Sequence, residues 1–482
     1  MNIKLNRTQI VDKIHGCWLG KNLGGTIGGP FEGKRMLLDI PGFTTEKGEP
    51  LPNDDLDLQL VWLRALEVIG AKRLTANDLA DYWLSWIAPH WNEYGVAKSN
   101  LQMGLLPPLS GEVHNAKWKT SNGAWIRSEI WACLAPGLPN IAVKYAIMDA
   151  SVDHGLSEGT HAEVFTAVLE SMAFFESDVR KLIEKALTYI PADSMITSTV
   201  RLVLDCYDKK IPWQQTRDMV VENVAEVGWF QAAGNIGFTV LGLMYGEGDM
   251  LQSLIYAVNC GDDTDCTAGT CGAILGIIQG ASGISDELKE YVGDRIVTMS
   301  INASYRHSVA KTCTELTERV IKLIPEVLGA HGVETEWTSD TSFIDTGAAN
   351  LILDGYSQEV FSRSPYSFEV PDPLHTSAFV EYETIPIVKP NDTFKIKITL
   401  KNLRSDARYC TVDAYLPEGW SADYPKTCHF SYYQRLHSEA GLTSVEMTVN
   451  VGEVVRDINK IPVMINAHGH AVPIMIPIVL LG

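Results

Sequence analysis

No two cysteines in this chain stand at C-x-x-C spacing, which leaves no sign of a structural zinc or dithiol redox motif. The nine cysteines are odd in number and scattered, so they outline no disulfide framework and are expected to be buried and reduced. Long apolar runs are also missing. No stretch of 18 uncharged apolar residues occurs, which excludes a membrane-spanning helix. The start, MNIKLNRTQIVDKIHGCWLG, has no continuous apolar segment after its basic residues, and the expected location is cytoplasmic. Positive charge is scarce, with 39 Lys plus Arg against 59 Asp plus Glu and a net charge of −20. Such a surface repels phosphate backbones and anionic membranes, so neither nucleic acid nor membrane is an expected partner. A bound cation or a helix N-terminus could still reverse the field locally and admit a phosphorylated small molecule.

What is present is ordinary globular material: 482 residues, 46% hydrophobic and 20% charged, enough for two or three domains with sizeable cores. Up to about residue 330 the apolar residues recur at helical spacing, as in LDLQLVWLRALEVIG (56–70) and HAEVFTAVLESMAFF (161–175). Thr75 followed by Asp78 fits a helix N-cap with an acidic residue three positions on. Beyond about residue 335 the period changes to two. In FKIKITLKN (394–402), Phe394, Ile396, Ile398 and Leu400 alternate with polar residues, the pattern of a half-buried strand. No internal repeat of fixed period stands out. The expected architecture is a mainly α domain over 1–335, then a connector and an all-β sandwich over 336–482.

Two acidic clusters interrupt the helical part, NDDLD (53–57) and GDDTD (261–265), each just before an apolar helical stretch. The simplest reading of any one Asp is a helix cap. Each cluster, however, spends three carboxylates where capping needs one or two, and the surplus charge calls for a counter-ion. Hard cations such as Mg²⁺ take oxygen ligands of this kind. After the second cluster the small residues at 267–273, with Gly276 and Gly280, suit a helix packed closely at the centre of a bundle. A third stretch, GCWLGKNLGGTIGGPFEGK (16–34), is apolar and glycine-rich and contains Glu32. Its glycines at 24, 25, 28 and 29 suggest close backbone approach to another helix or to a ligand. The spacing fits neither a dinucleotide fingerprint nor a Walker loop.

Taken in order, GGTIGGPFE (24–32), NDD (53–55), SNGAWIR (121–127), VDHGLSEG (152–159) and GDDTDC (261–266) resemble the motifs of the ADP-ribosylglycohydrolase family, of the dinitrogenase-reductase-activating glycohydrolase type. The resemblance spans about residues 8–325. It implies an orthogonal all-α bundle with a binuclear Mg²⁺ centre that hydrolyses an N- or O-glycosidic bond to ADP-ribose or a related ribosyl compound. Residue by residue it implies Glu32 and Asp55 as catalytic carboxylates. It further implies Asn53, Asp54, Asp55, Asp263, Asp265 and Cys266 as metal ligands, and Asn122, Gly123 and His154 as residues lining the substrate pocket. Asp262, one position early, is expected to be a cap or a supporting group.

Three positions depart from the family pattern: Gly25 replaces its Asp, Asn53 its Thr and Cys266 its last Thr. Asn53 still offers a carbonyl oxygen, whereas a thiol is a poor Mg²⁺ ligand, so one of the two ions is expected to be held more weakly. The segments at 99–115 and 229–249 and the β domain, in which YLPEGWSADYP (415–425) is similar to Ig-like modules, resemble a bacterial branch. Such modules are appended to bacterial glycoside-processing enzymes, and that similarity favours a small glycoside or nucleoside substrate over a modified protein. The alternative is a non-catalytic or ligand-binding protein that keeps the fold, as crystallin relatives of the family do. His15, His90, His161 and most of the tryptophans are expected to be packing residues. Among Trp125, Trp131 and Trp229 one could stack on a base or sugar.

Overall fold

The computed structural model describes residues 1–371, 376–402, 408–430 and 441–482. The chain forms two units, one from Met1–Gly95 with Ala116–Ser362 and one from Val96–Asn115 with Arg363–Gly482.

The first unit is helical. Its axis is a pair of buried helices, Arg7–Gly28 and Thr264–Gln279, packed along a stripe of small residues four apart. A Cβ added at Gly16, Gly20, Gly24 or Gly28 would fall 2.3, 1.9, 2.1 or 2.2 Å from backbone oxygens of Gly276, Gly272, Ala268 and Thr264 respectively. The backbones therefore touch, which only glycine permits. Of the four glycines singled out in the sequence, Gly24 and Gly28 thus approach a helix, while Gly25 and Gly29 face the side chains of Asn53 and Leu51. Against the pair pack the helices Glu158–Ala173, Ala232–Tyr245 and Cys313–Ala330, with Pro139–His154 packed on the first of these and Asp54–Ile69 on the last. The helix Ala76–Trp86 begins with a capping box in which Thr75 Oγ1 accepts from the Asp78 amide and Asp78 Oδ2 from the Thr75 amide, as the sequence predicts. Two short strands, β1 (Asn2–Asn6) and β2 (Glu334–Thr338), pair in parallel where period-2 segments of five residues are too short to stand out. Ile3 and Leu5 bury the inner face of β1.

The second unit is a β-sandwich of antiparallel strands: β3 (Ser367–Pro371), β4 (Thr376–Tyr382), β5 (Thr393–Asn402), β6 (Arg408–Ala414), β7 (Ser421–Asp423), β8 (Thr427–Phe430), β9 (Leu442–Asn450), β10 (Ile458–Ala467) and β11 (Ile474–Leu481). One sheet has the order β3-β4-β5-β9-β7 and the other β11-β10-β6-β8. Phe394, Ile396, Ile398 and Leu400 of β5 all point inward, as their alternation requires. Leu105, Leu109 and Val113 join the same core, so the segment 96–115 belongs with the strands although it precedes them by some 250 residues.

Candidate active site and metal centre

Three of the sequence motifs meet at one end of the glycine-packed helix pair. Gly28 rests on the Thr264–Asp265 backbone, and the chain leaving this helix passes through Glu32 and is stitched to the turn before the second helix. The Gly33 amide donates to Asp262 O at 2.7 Å and the Asp262 amide to Lys34 O at 2.9 Å. That turn is sharp: Gly261 and Asp262 both have positive φ, and a side chain at 261 would strike the Met36 carbonyl. The third contributor is the helix Asp54–Ile69, whose N-cap Asn53 accepts from the Asp55 amide at 2.8 Å.

The result is a shared cluster of oxygen and sulfur atoms. Carboxylate oxygens of Glu32, Asp263 and Asp265 lie within 4.8 Å of one another, as do ligand atoms of Asp55, Asp265 and Cys266. Asp265 belongs to both groups. Cys266 Sγ donates to Asp55 Oδ1 at 3.2 Å. Asp263 Oδ1 and Asp265 Oδ1 are buried and accept no hydrogen bond, a costly state for a carboxylate unless a cation completes it. Burial, then the charges of Asp265 and Glu32, pushes the Asp263 carboxyl well above the usual range. Burial, then Asp55 and Glu32, pushes Asp265 up to about 8. Asp54 is raised by burial and by Asp55, and Glu32 by partial desolvation and then Asp55. Each of these groups resists ionising beside the others, and a divalent cation would reverse that.

One positive charge is built in. Lys21, fully buried in the glycine helix, donates to Glu129 Oε1 and Ile126 O at 2.7 Å and to Thr270 Oγ1 at 3.2 Å, and stands 3.2 Å from Asp55 Oδ2. Burial acts to lower its pKa, but Glu129 and Asp55 outweigh it and hold the ammonium charged. The sequence motifs do not single this residue out. The available signal was a lone charge in the middle of an apolar, glycine-rich helix. Glu129 and Gln59, joined at 2.7 Å, complete the layer beneath the cluster.

Not every carboxylate of the two acidic runs faces the cluster. Asp57 accepts the Met299 and Ser300 amides, and Asp262 Oδ2 accepts from the Phe230 amide and Asn235 Nδ2, a supporting role like the one expected. Asn53 sits in the space that Gly25 leaves: a Cβ on Gly25 would lie 2.0 Å from Asn53 Nδ2. The two departures from the family pattern thus fit one another. With Asn53 Oδ1 engaged in the cap, this side chain is less free to ligate than Asp54, which lines the cavity and lies 3.4 Å from the Tyr94 hydroxyl.

The cavity above the cluster measures about 540 Å³, the size of a small-ligand site. Glu32, Asp54, Asp263, Asp265 and Cys266 form its floor together with Asn122 and Gly123. Asn122 links two of its surroundings, donating to Asp263 Oδ2 at 2.6 Å while its own oxygen accepts from Trp125 Nε1. Gly123 makes room for Glu93, whose carboxyl lines the cavity and is raised by burial. His154 is fully buried behind this wall, with Nδ1 3.0 Å from Asp153 and Nε2 3.3 Å from Ser121 Oγ, and it is Ser121 that reaches the cavity. Arg127 joins the same layer through Asp149, Asp153 and the Gly123 carbonyl. The aromatic residues lining the cavity are Trp91, Tyr94 and Phe230, of which Tyr94 is buried. Trp125 and Trp131 are core residues, and Trp229 lies against Arg217.

Among solved structures, one described as an ADP-ribosylglycohydrolase-related protein complex is 18% identical and covers 66% of this chain and 99% of its own at a TM-score of 0.45. A FixG-related protein from Vibrio parahaemolyticus is 11% identical and covers 23% of this chain and 97% of its own at a TM-score of 0.19. No curated protein matches the chain. The ADP-ribosylglycohydrolase family matches over residues 6–326, well over half of the sequence, and the chain belongs to that family.

Proposed function

We propose that the protein is a divalent-cation-dependent glycohydrolase that cleaves a ribosyl N- or O-glycosidic bond, of an ADP-ribosyl compound or a related small glycoside or nucleoside. The observation that carries the reading is the pair of buried, unpartnered oxygens, Asp263 Oδ1 and Asp265 Oδ1, on the floor of a ligand-sized cavity. Their donor chemistry, with Glu32, is all-oxygen and suits Mg²⁺. Asp54 and Asp55 would hold cations from the opposite side. When bound, the cations supply positive charge that offsets the clustered carboxylates and orients ribose hydroxyls.

The remaining work falls to the chain's own groups. Glu32 lines the cavity beside Asp263 and Asp265, where its carboxylate can take a proton from an attacking water. As the bond to the leaving group breaks, the ribosyl ring gains oxocarbenium character, which the surrounding carboxylates stabilise. Glu93, whose carboxyl burial shifts toward the protonated form, also faces the cavity, where it can hydrogen-bond a substrate hydroxyl. Asn122 fixes the Asp263 carboxylate, and Ser121 carries the orientation set by His154 and Asp153 into the cavity. Trp91 and Phe230 offer apolar faces to a base or aglycone. A cytoplasmic setting, in which all nine cysteines stay as free thiols, belongs to the same reading. Among the described residues no helix is long and apolar enough to cross a membrane.

Purified protein assayed against ADP-ribosylated and simple ribosyl compounds, with Mg²⁺ present or chelated, tests the proposal. Turnover is expected with the cation and should disappear on chelation and in an Asp263→Ala, Asp265→Ala variant. Turnover without any cation, or full activity in that variant, would sink it. A protein that binds neither cation nor substrate would instead be a non-catalytic relative.

A further inference from the structure

The two ligand groups that share Asp265 differ in chemistry. Glu32, Asp263 and Asp265 present oxygen alone, while Asp55, Asp265 and Cys266 add a sulfur. We propose that the second group is a separate site for a softer divalent ion of the zinc, iron or cobalt kind, bound through the Cys266 thiolate, beside an all-oxygen site for a hard ion. The inference rests on the cation-dependent reading above and assigns the second ion.

Four observations support it. The Cys266 side chain is buried on the cavity floor, with Sγ 3.2 Å from Asp55 Oδ1, so sulfur and carboxylate already face one another. Asp265 is itself more than nine-tenths buried and its Oδ1 has no hydrogen-bond partner, so a third donor in the same group stands uncompleted. Lys21 approaches the other oxygen of Asp55, Oδ2, which fixes the rotamer that turns Oδ1 toward the thiol. Orientation of a ligand by such an outer partner is what tunes metal sites generally. Among the described residues no other cysteine falls in a group of three or more candidate ligands, so the sulfur is placed where ligands already gather.

The chemistry of the donors then decides between ions. Thiolates select zinc, iron and cobalt over magnesium and calcium, which take oxygen ligands. On binding, the Cys266 proton leaves to solvent and the sulfur lone pair forms the metal bond, with no change in oxidation state. A serine or threonine at 266 would make both groups all-oxygen and remove the distinction. The sequence departure at 266 is thereby a change in which ion is held, in place of a simple weakening.

Cobalt(II) supplies the test, because a cobalt–thiolate bond gives an intense near-ultraviolet charge-transfer band that oxygen ligands do not. Full-length protein stripped by chelation and reloaded with Co²⁺ is expected to show the band and to keep it when excess Mg²⁺ displaces cobalt from the all-oxygen group. Cys266→Ser is expected to lose the band while still binding cobalt. X-ray absorption on zinc-loaded wild-type protein, which needs no variant, is expected to show a sulfur neighbour at about 2.3 Å. Cobalt bound without the band, zinc with only oxygen and nitrogen neighbours, or a band that survives in Cys266→Ser would overturn the inference and leave the cation-dependent function standing. Failure to bind any divalent ion would overturn both.

Discussion

The closest backbone contact in the helical unit gives its sharpest stability prediction. At Gly20, an added Cβ would stand 1.9 Å from Gly272 O and 2.5 Å from Gly272 C, whereas ordinary contact begins at 3.4 Å. The shortfall from ordinary contact is 1.5 Å, and it is against main chain, which has no rotamer to give. Gly16, Gly24 and Gly28 hold the two helices at the same spacing along their length, so relief at Gly20 requires the whole interface to open. A gap of about 0.5–1 Å already forfeits a quarter to a half of the dispersion energy of the atoms that line it, and 1.5 Å forfeits more. Set against this, Ala gains about 1 kcal/mol over Gly in helix propensity. Overpacking typically costs 1–3 kcal/mol and more where neighbours cannot yield, so Gly20→Ala is expected to lose about 3 kcal/mol net. Gly329→Ala serves as the control: this residue also lies in a helix, near its end, but nothing stands within 4 Å of its added Cβ. It should be neutral or gain up to about 1 kcal/mol. Urea unfolding followed by helical circular dichroism measures both. A Gly20→Ala protein within about 1 kcal/mol of wild type would refute the packing argument.

Two further predictions concern buried charge. Lys21→Met leaves Asp55 and Glu129 buried without their cation and is expected to cost about 3–5 kcal/mol in the same unfolding experiment. Adding Glu129→Gln should restore part of that loss, and no recovery would mean that packing, not charge, is the cause. His331 is half-buried, hydrogen-bonded to the Tyr145 hydroxyl, and depressed to about 4 by desolvation and then by Lys144. Between pH 4 and its ordinary value of 6.5 the unfolded chain therefore binds a proton that the folded chain refuses. The stability from this group is full above 6.5 and is lost as pH falls through 4, by about 1–2 kcal/mol after allowance for solvent screening. His331→Gln should flatten that part of the stability profile, and an unchanged slope would contradict the assignment.

How far the sequence discloses this molecule depends on the range of the interactions involved. The strand at 394–402 and the cap at Thr75 are written in neighbouring residues, and both stand as read. The two acidic runs are equally visible, but charge and spacing alone do not say which carboxylates face the cluster, and only the family resemblance sets Asp262 aside. Asp57 and Asp262 carry the same charge as their neighbours yet turn toward amides of residues 299, 300 and 230, which are distant in the chain. The glycines at 24 and 28 announce a close approach without naming its partner, and Gly16 and Gly20 extend the stripe beyond the motif that drew attention. The assignment of residues 96–115 to the β unit is invisible locally, because Leu105, Leu109 and Val113 are spaced as in any helical segment.

The glycine stripe and the charged cluster are parts of one arrangement. Bringing Glu32, Asp55, Asp263 and Asp265 together sets like charges against one another in a poorly solvated place, and the raised pKa values of three of them are the sign of that cost. An interface of rotatable side chains could relieve the repulsion by drifting apart. An interface of touching backbones cannot, because a helix pair in glycine contact has no intermediate separation at which it is well packed. Lys21 rises from the same helix and returns one positive charge beneath Asp55, enough to hold that carboxylate in place but, being shared with Glu129, not enough to neutralise the group. The residual negative potential is thus fixed in position by the fold, and any divalent ion that binds the folded chain in preference to the unfolded one stabilises the helix pair through the same contacts.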